Sequence, residues 1–160
     1  MRLKDYTFLT PLVLIAGLFL LLSGCTPAVA VLPVRVVEYH GPQTNTELVG
    51  FVRQQVPAPR QAIVYFYADW CGPCRRFRES LTTKPVADAM QQATLVKINV
   101  DNYQELAAEY GIKAIPAFVK LDAQGNVVAS ISSDKWQEDA PENIAPIMHE
   151  LVVGHRFDAR

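Results

Sequence analysis

Two cysteines, Cys71 and Cys74, stand three positions apart where a hydrophobic segment gives way to a helical pattern. The preceding residues, 62–68, are β-branched and aromatic, which predicts a buried strand. Apolar residues at helical spacing follow, so both thiols are expected one turn apart at the start of a helix. Unpaired N–H groups and the helix dipole stabilise a thiolate there, and a thiol with a lowered pKa is a nucleophile. The pattern therefore predicts a dithiol redox centre.

The elements that must position this centre alternate along the chain. Polar caps or prolines before an apolar periodicity predict helix starts, and β-branched runs bounded by turn residues predict strands. Because proline disfavours helical backbone at the residue before it, Lys84-Pro85 is predicted to interrupt the helix after the dithiol. Strands are predicted over residues 34–39, 62–68, 95–100, 116–121 and 126–131, and helices over 45–55, 71–81, 86–92, 103–110 and 141–153.

The sequence Trp-Cys-Gly-Pro-Cys at residues 70–74 resembles the active-site motif of the thioredoxin family. A second segment, residues 110–116, is similar to the family segment that ends in a cis-proline facing the dithiol. Residues 96–101 resemble its central strand and residues 121–127 its hairpin. These segments occur in the family's order within residues 34–153. The resemblance implies an α/β thioredoxin fold, in which helices flank a central mixed β-sheet.

The two cysteines have distinct expected roles. Cys71, at the exposed helix start, would attack a substrate disulfide and form a mixed disulfide. Cys74, one turn inward and less exposed, would resolve it. The resemblance therefore implies a thiol-disulfide oxidoreductase whose catalytic residues and redox disulfide are both Cys71 and Cys74.

Five neighbouring residues are expected to support the pair. Trp70 would pack beside the site and shield it. Gly72 and Pro73 form the dipeptide that accompanies a reducing pair in the family. Ile115 and Pro116 would present backbone to an extended substrate strand. The alternative for Pro116 is that it merely starts an edge strand.

One position departs from the family pattern. Thioredoxins have a buried Asp six residues before the first cysteine, and this chain has Tyr65 there. A phenol, with its pKa near ~10, is a poor base at neutral pH. Lys97 matches the lysine beside that Asp, so a structural role is expected for it here. Ala117 follows the proline where thioredoxin has Thr, which removes a hydroxyl from the substrate groove.

Composition excludes several other classes. With 160 residues, 50% of them hydrophobic, and a formal net charge of −1, the chain can bury one core and has no bias toward nucleic acid. Its three histidines are scattered and there is no second cysteine pair, so we expect no metal site. Arg75 stands where haem attachment would need His. No cofactor is predicted.

The N-terminus has the parts of an export signal. Arg2 and Lys4 precede an apolar run over residues 8–22, which is shorter than the ~20 residues of a spanning helix. Residues 22–25 resemble the lipobox of bacterial lipoproteins, in which the signal is cut before a lipid-modified cysteine. Cys25 is therefore predicted to be the lipidation site. The alternatives are an ordinary signal cleaved nearby, or an uncleaved anchor with Cys25 as an idle thiol.

The predicted organisation has four parts. They are a lipoprotein signal peptide (1–24), a membrane-proximal linker (25–33), a thioredoxin-like domain (34–153) and a C-terminal tail (154–160). Thr26 follows the lipobox cysteine, and the absence of Asp there indicates the outer membrane under the sorting rule of enteric lipoproteins. We therefore expect a protein that is lipid-anchored to the bacterial membrane and faces the periplasm.

Export would place the dithiol in an oxidising compartment, where it stays reduced only with an electron supply. The expected function is to reduce or isomerise disulfides of exported proteins, with electrons from a membrane thiol donor. One alternative is a dedicated reductant in cytochrome c maturation. Another is a non-catalytic binding module on the same fold. The motif alone is also compatible with a net oxidase, which would form disulfides in its substrates.

Overall fold

The computed structural model describes residues 34–154. The predicted signal peptide, Cys25, the linker and residues 155–160 lie outside the described residues. Within residues 34–154, no helix combines the length and apolar character needed to cross a bilayer.

A five-stranded mixed sheet forms the centre of the described domain. Its strands are β1 (Arg35–Glu38), β2 (Gln61–Tyr67), β3 (Ala93–Asn99), β4 (Ala117–Leu121) and β5 (Val127–Ser132). Their spatial order is β1-β3-β2-β4-β5. β3 runs parallel to β1 and β2, whereas β4 is antiparallel to β2 and β5. This is the mixed sheet expected from the sequence.

β2 is the central strand and is buried on both faces. β3 pairs with one edge and β4 with the other. Residues 62–67 are all buried, as their continuous apolar run predicts. Tyr65 and Tyr67 face one core, and Val64 and Phe66 face the other. The strand that leads into the dithiol is therefore enclosed on all sides.

Helices cover the two faces of the sheet. They are α1 (Asn45–Gln55), α2 (Gly72–Ser80), α3 (Lys84–Met90), α4 (Gln104–Glu109) and α5 (Pro141–Val153), with a 3₁₀ helix at Ser133–Lys135. Leu48 of α1 and Leu106 of α4 join the core that contains Val64. Phe77 of α2 and Ile144 of α5 join the core that contains Tyr65. The dithiol helix thus shares its core with α3 and α5.

The starts of α2 and α3 differ from the prediction. Cys71 is the extended N-cap residue of α2, and the helix begins at Gly72. A side chain that accepts a hydrogen bond from the first turn is favoured at this cap position. α3 begins at Lys84 and includes Pro85 in its first turn. Proline is tolerated there because the N–H that it lacks would have had no partner in the helix.

The hairpin between β4 and β5 depends on Gly125. This residue has φ of +90°, and the Asp122 carboxylate accepts hydrogen bonds from the backbone N–H groups of Gln124 and Asn126 beside it. A Cβ at position 125 would collide with the Val49 side chain. We expect Gly125→Ala to lower the free energy of unfolding by about 1–3 kcal/mol, measured in urea.

Gly50 is the matched control. It lies inside α1, and no atom lies within 4 Å of a Cβ added there. Gly50→Ala should therefore raise the free energy of unfolding by about 0.5–1 kcal/mol, since alanine loses less backbone entropy in a helix. Equal stability of Gly125→Ala and the parent would show that the turn does not need a glycine.

Candidate active site

Cys71 and Cys74 form a disulfide at the start of α2, with their Cα atoms 5.2 Å apart. In this oxidised form Cys71 is 4% exposed and Cys74 is fully buried. The order of exposure matches the expected roles, but Cys71 is more covered than the sequence suggested. Its cover comes from the chain segment before β4, which lies against its sulfur.

That segment contains the cis peptide bond between Ile115 and Pro116. The Ile115 carbonyl oxygen lies 3.7 Å from Cys71 Sγ. A sulfur in a disulfide has no proton to donate, so this is a packing contact. β4 begins directly after Pro116 and pairs with both β2 and β5, so it is not an edge strand. The cis-proline faces the dithiol as expected, and the edge-strand alternative is wrong.

The start of α2 places a backbone donor on the first sulfur. The N–H of Cys74 donates to Cys71 Sγ at 3.2 Å. In the reduced protein the same donor would favour a Cys71 thiolate. Arg75 Nη1 lies 3.2 Å from the Asp69 carbonyl oxygen and 3.4 Å from that of Trp70. These bonds fasten the turn that precedes the dithiol.

The Trp70 side chain is held at the surface by a hydrogen bond. Its side chain is highly exposed, and its Nε1 donates to the Asp101 carboxylate at 3.1 and 3.2 Å. The indole borders an apolar groove of about 180 Å³, which Val100, Ala107 and residues 112–115 also line. A hydrogen bond therefore holds the ring at the border of this groove, and the shielding of the dithiol by Trp70 stays a prediction.

Tyr65 lies beneath the dithiol helix and is fully buried. Its hydroxyl donates to the Cys74 carbonyl oxygen at 3.1 Å. The ring stacks on Phe118 and Tyr67, with centroids 5.1 and 5.4 Å away. Burial raises the pKa of Tyr65 well above its ordinary value. The phenol is therefore neutral at physiological pH and does not replace the family's carboxylate as a base.

Lys97 contacts a different carboxylate. Its Nζ lies 3.2 Å from Glu38 Oε2 and 4.7 Å from the centroid of the Tyr67 ring. The Tyr67 hydroxyl donates to Glu38 Oε1 at 2.7 Å. The three side chains connect β1, β3 and β2, which agrees with the structural role expected for Lys97. The role of Glu38 could not be predicted from local sequence, because the pairing depends on the register of three strands.

A separate ion pair links α2 to the segment before α5. Arg76 donates to Asp139 Oδ2 at 2.8 and 2.6 Å, and Trp136 Nε1 donates to Asp139 Oδ1 at 2.8 Å. Trp136 is nearly buried and packs against Phe118. This segment before α5 therefore packs into the core, and it links the dithiol helix to the start of α5.

A family model described as thioredoxin matches residues 43–145, which is more than half of the chain. The chain belongs to the thioredoxin family. It is 33% identical to thioredoxin from Streptomyces clavuligerus over 85 residues, which is 53% of this chain and 77% of that protein. It is 34% identical to a thioredoxin-like protein from Synechocystis over 82 residues, 51% of this chain and 76% of the relative.

Solved structures agree with this thioredoxin assignment. Thioredoxin from Trichomonas vaginalis has a TM-score of 0.52 at 27% identity, with 72% of this chain and 96% of that chain covered. A variant thioredoxin from Halobacterium salinarum has a TM-score of 0.54 at 26% identity, with 81% and 97% covered. The predicted thioredoxin fold is confirmed.

The chain matches only part of the length of some relatives. The chain spans 53% of mitochondrial thioredoxin-2 from Schizosaccharomyces pombe and 62% of thioredoxin from Mycoplasma genitalium. Within residues 34–154, no cluster of three His, Cys, Asp or Glu side chains could hold a metal ion. The chemistry visible at the described site is that of the thioredoxin-type Cys-x-x-Cys pair.

The Glu38 contacts predict a pH-dependent stability. The Tyr67 hydrogen bond, with a further contribution from Lys97, holds the pKa of Glu38 below its usual value. A depressed folded-state pKa stabilises the fold above the unfolded-state pKa, and this contribution is lost as pH falls through the folded value. Because Glu38 is partly exposed, we expect Glu38→Gln to cost about 0.5–1 kcal/mol at pH 7 and less near pH 3 in urea melts. An equal cost at both pH values would contradict the ionic origin.

Proposed function

We propose that this protein is a membrane-anchored thiol-disulfide oxidoreductase that reduces or isomerises disulfides of exported proteins. The observation that supports this most strongly is the Cys71–Cys74 disulfide at the N-terminus of α2, opposite the cis peptide bond before Pro116. A non-catalytic module would not need both sulfurs within bonding distance at a helix start. The intact pair therefore favours an enzyme.

The reaction is a two-step exchange of sulfur–sulfur bonds. The Cys71 thiolate attacks one sulfur of a substrate disulfide, so that a Cys71–substrate bond forms and the other substrate sulfur leaves as a thiolate, which takes up a proton. Cys74, after losing its proton, attacks Cys71 Sγ. The Cys71–Cys74 bond forms and the second substrate sulfur leaves. Two electrons have then moved from the dithiol to the substrate.

The surroundings of the dithiol suit an extended protein substrate. Ile115 and Pro116 present backbone next to the Cys71 sulfur, and the apolar groove beside Trp70 begins at the same point. Main-chain pairing tolerates many sequences, and an apolar groove accepts a side chain of the bound strand. These features support a protein disulfide as the substrate class.

The proposed cellular location is inferred from the N-terminal sequence. A charged start, an apolar run and the lipobox-like residues 22–25 support export and lipid attachment at Cys25. Two or more acyl chains give stable anchoring. Since the periplasm is oxidising, continued reduction of substrates requires electrons, for which a membrane thiol donor is the proposed source.

Two cysteine substitutions test the chemistry and the anchor separately. Cys71→Ser should abolish the catalysed reduction of insulin by the full-length protein and leave only the slow reaction of dithiothreitol alone, because the attacking thiolate is lost. Cys25→Ser should keep the insulin activity of the parent but lose fatty-acid label and leave the membrane fraction. Each variant serves as the control for the other.

A different outcome would contradict each part of the proposal. Retained catalysis of insulin reduction in Cys71→Ser would reject the proposed nucleophile. Fatty-acid label on Cys25→Ser would reject the lipidation site. Cys74→Ala should accumulate mixed disulfides in cells, and mass spectrometry of the trapped species would identify the substrates. If the trapped proteins carry no export signal, the proposed compartment is wrong.

A further inference from the structure

Arg78 lies beneath the dithiol, one helical turn after Cys74. Whereas the side chains of Arg75 and Arg76 are exposed, the Arg78 side chain is 27% exposed. Its Nη1 atom is buried and has no hydrogen-bond partner among the described residues. The centre of the guanidinium lies 5.1 Å from the centroid of the Tyr67 ring. A positive charge therefore reaches into the layer between α2 and β2.

Little negative charge compensates Arg78 on this buried side. The Asp69 carboxylate lies 4.0 Å away, but its side chain is 79% exposed and solvent screens it. The Glu38 carboxylate accepts hydrogen bonds from Tyr67 and Lys97. Lys97 packs on the same Tyr67 ring and pairs with Glu38, so these two charges largely cancel each other. Among the described residues, the carboxylate that pairs with Arg78 is therefore the exposed Asp69.

Tyr65 connects this charge to the dithiol. Its buried hydroxyl donates to the carbonyl oxygen of Cys74, which in a regular helix also accepts from the backbone N–H of Arg78. The Arg78 charge acts on Tyr65 as well, since it opposes the rise that burial causes in the tyrosine pKa. Cys74, Tyr65 and the Arg78 guanidinium thus form one contiguous group.

We propose that Arg78 is a positioning residue that stabilises the thiolate of Cys74, so that a cation at the margin of this layer assists Cys74 in a chain that lacks the carboxylate of other thioredoxins. This inference rests on the dithiol exchange of the proposed function. A nearby positive charge favours the charged form of a thiol. Cys74 must lose its proton before it attacks Cys71 Sγ, and a larger thiolate fraction would supply the attacking form without a buried base.

The size of the effect follows from two opposing trends. A nearby positive charge that lowers the pKa of a thiol by about one unit changes the thiolate fraction about tenfold at a pH below that pKa. A thiolate of lower pKa is also a weaker nucleophile, with a Brønsted slope of about 0.4–0.5. The net expected acceleration of reactions at Cys74 is therefore about threefold in that pH range.

The test measures Cys74 without requiring turnover. In full-length protein with Cys71→Ala, the rate of Cys74 modification by iodoacetamide is followed against pH, and peptide mass spectrometry separates Cys74 from Cys25. Adding Arg78→Met should raise the pH midpoint by about one unit and slow modification about threefold below it. Arg78→Lys should keep a midpoint near that of the parent, because it retains the charge.

Arg76→Met is the matched control. It removes the same charge from the same helix, but the Arg76 side chain is 53% exposed and paired with Asp139. Its midpoint should stay within a few tenths of a pH unit of the parent value, since solvent screens the charge. A midpoint shift as large as that of Arg78→Met would mean that any positive charge on α2 suffices, which would overturn the specific role of Arg78.

Two further results would overturn the proposal. One is a parent-like pH profile in Arg78→Met. The other is a raised midpoint in Arg78→Lys equal to that of Arg78→Met, which would indicate packing rather than charge. If Arg78→Met does not fold, as judged by circular dichroism, the neutral Arg78→Gln is compared with Arg78→Lys in the same way. Because alkylation needs neither substrate nor anchor, failure here is distinguishable from failure of the proposed function.

Discussion

The burial of β2 on both faces and along both edges is the constraint on which the dithiol depends. Residues 62–67 are buried without exception, and β3 and β4 pair with the strand on either side. Burying one large apolar side chain contributes roughly 1.5–3 kcal/mol, whereas a small domain has a net stability of only about 5–15 kcal/mol. The end of β2 therefore cannot shift without unfolding the domain, and Cys71 follows that end by four residues.

The same strand explains how two distant segments meet. β4 runs antiparallel to β2, and their register places Ala117 opposite Phe66. In an antiparallel pair, each step back along β4 moves one step forward along β2, so Ile115 arrives beside the residues that follow Tyr67. This brings the cis peptide bond to the Cys71 sulfur. One strand thereby fixes both the redox pair and the backbone facing it.

Much of this arrangement could be predicted from local sequence. The apolar run of β2, the thiol spacing and the Gly125 turn are local signals, and each predicted element is present in the structure. The contacts of Glu38 with Tyr67 and of Asp139 with Arg76 were not predictable, because they join side chains 29 and 63 positions apart through strand register or helix packing. The hydrogen bond from Trp70 to Asp101 was not predictable for the same reason, since these residues are 31 positions apart.

Replacing the family's buried carboxylate by Tyr65 changes the balance between stability and chemistry. A buried carboxylate is costly because desolvation penalises its charge. The Tyr65 phenol avoids that cost, since it is neutral, has a hydrogen-bond acceptor and stacks against Phe118 and Tyr67. Aromatic pairs of this kind contribute about 0.5–1.5 kcal/mol each beyond the area that they bury.

The layer under α2 is therefore better suited to packing than to proton transfer. Any electrostatic assistance to Cys74 has to come from a group at the margin of this layer. Arg78 occupies that margin: its guanidinium Nη2 lies 4.0 Å from the exposed Asp69 carboxylate, and the centre of the guanidinium lies 5.1 Å from the centroid of the Tyr67 ring. A cation can be held there at lower cost than an anion, because the negative face of the aromatic ring favours positive charge.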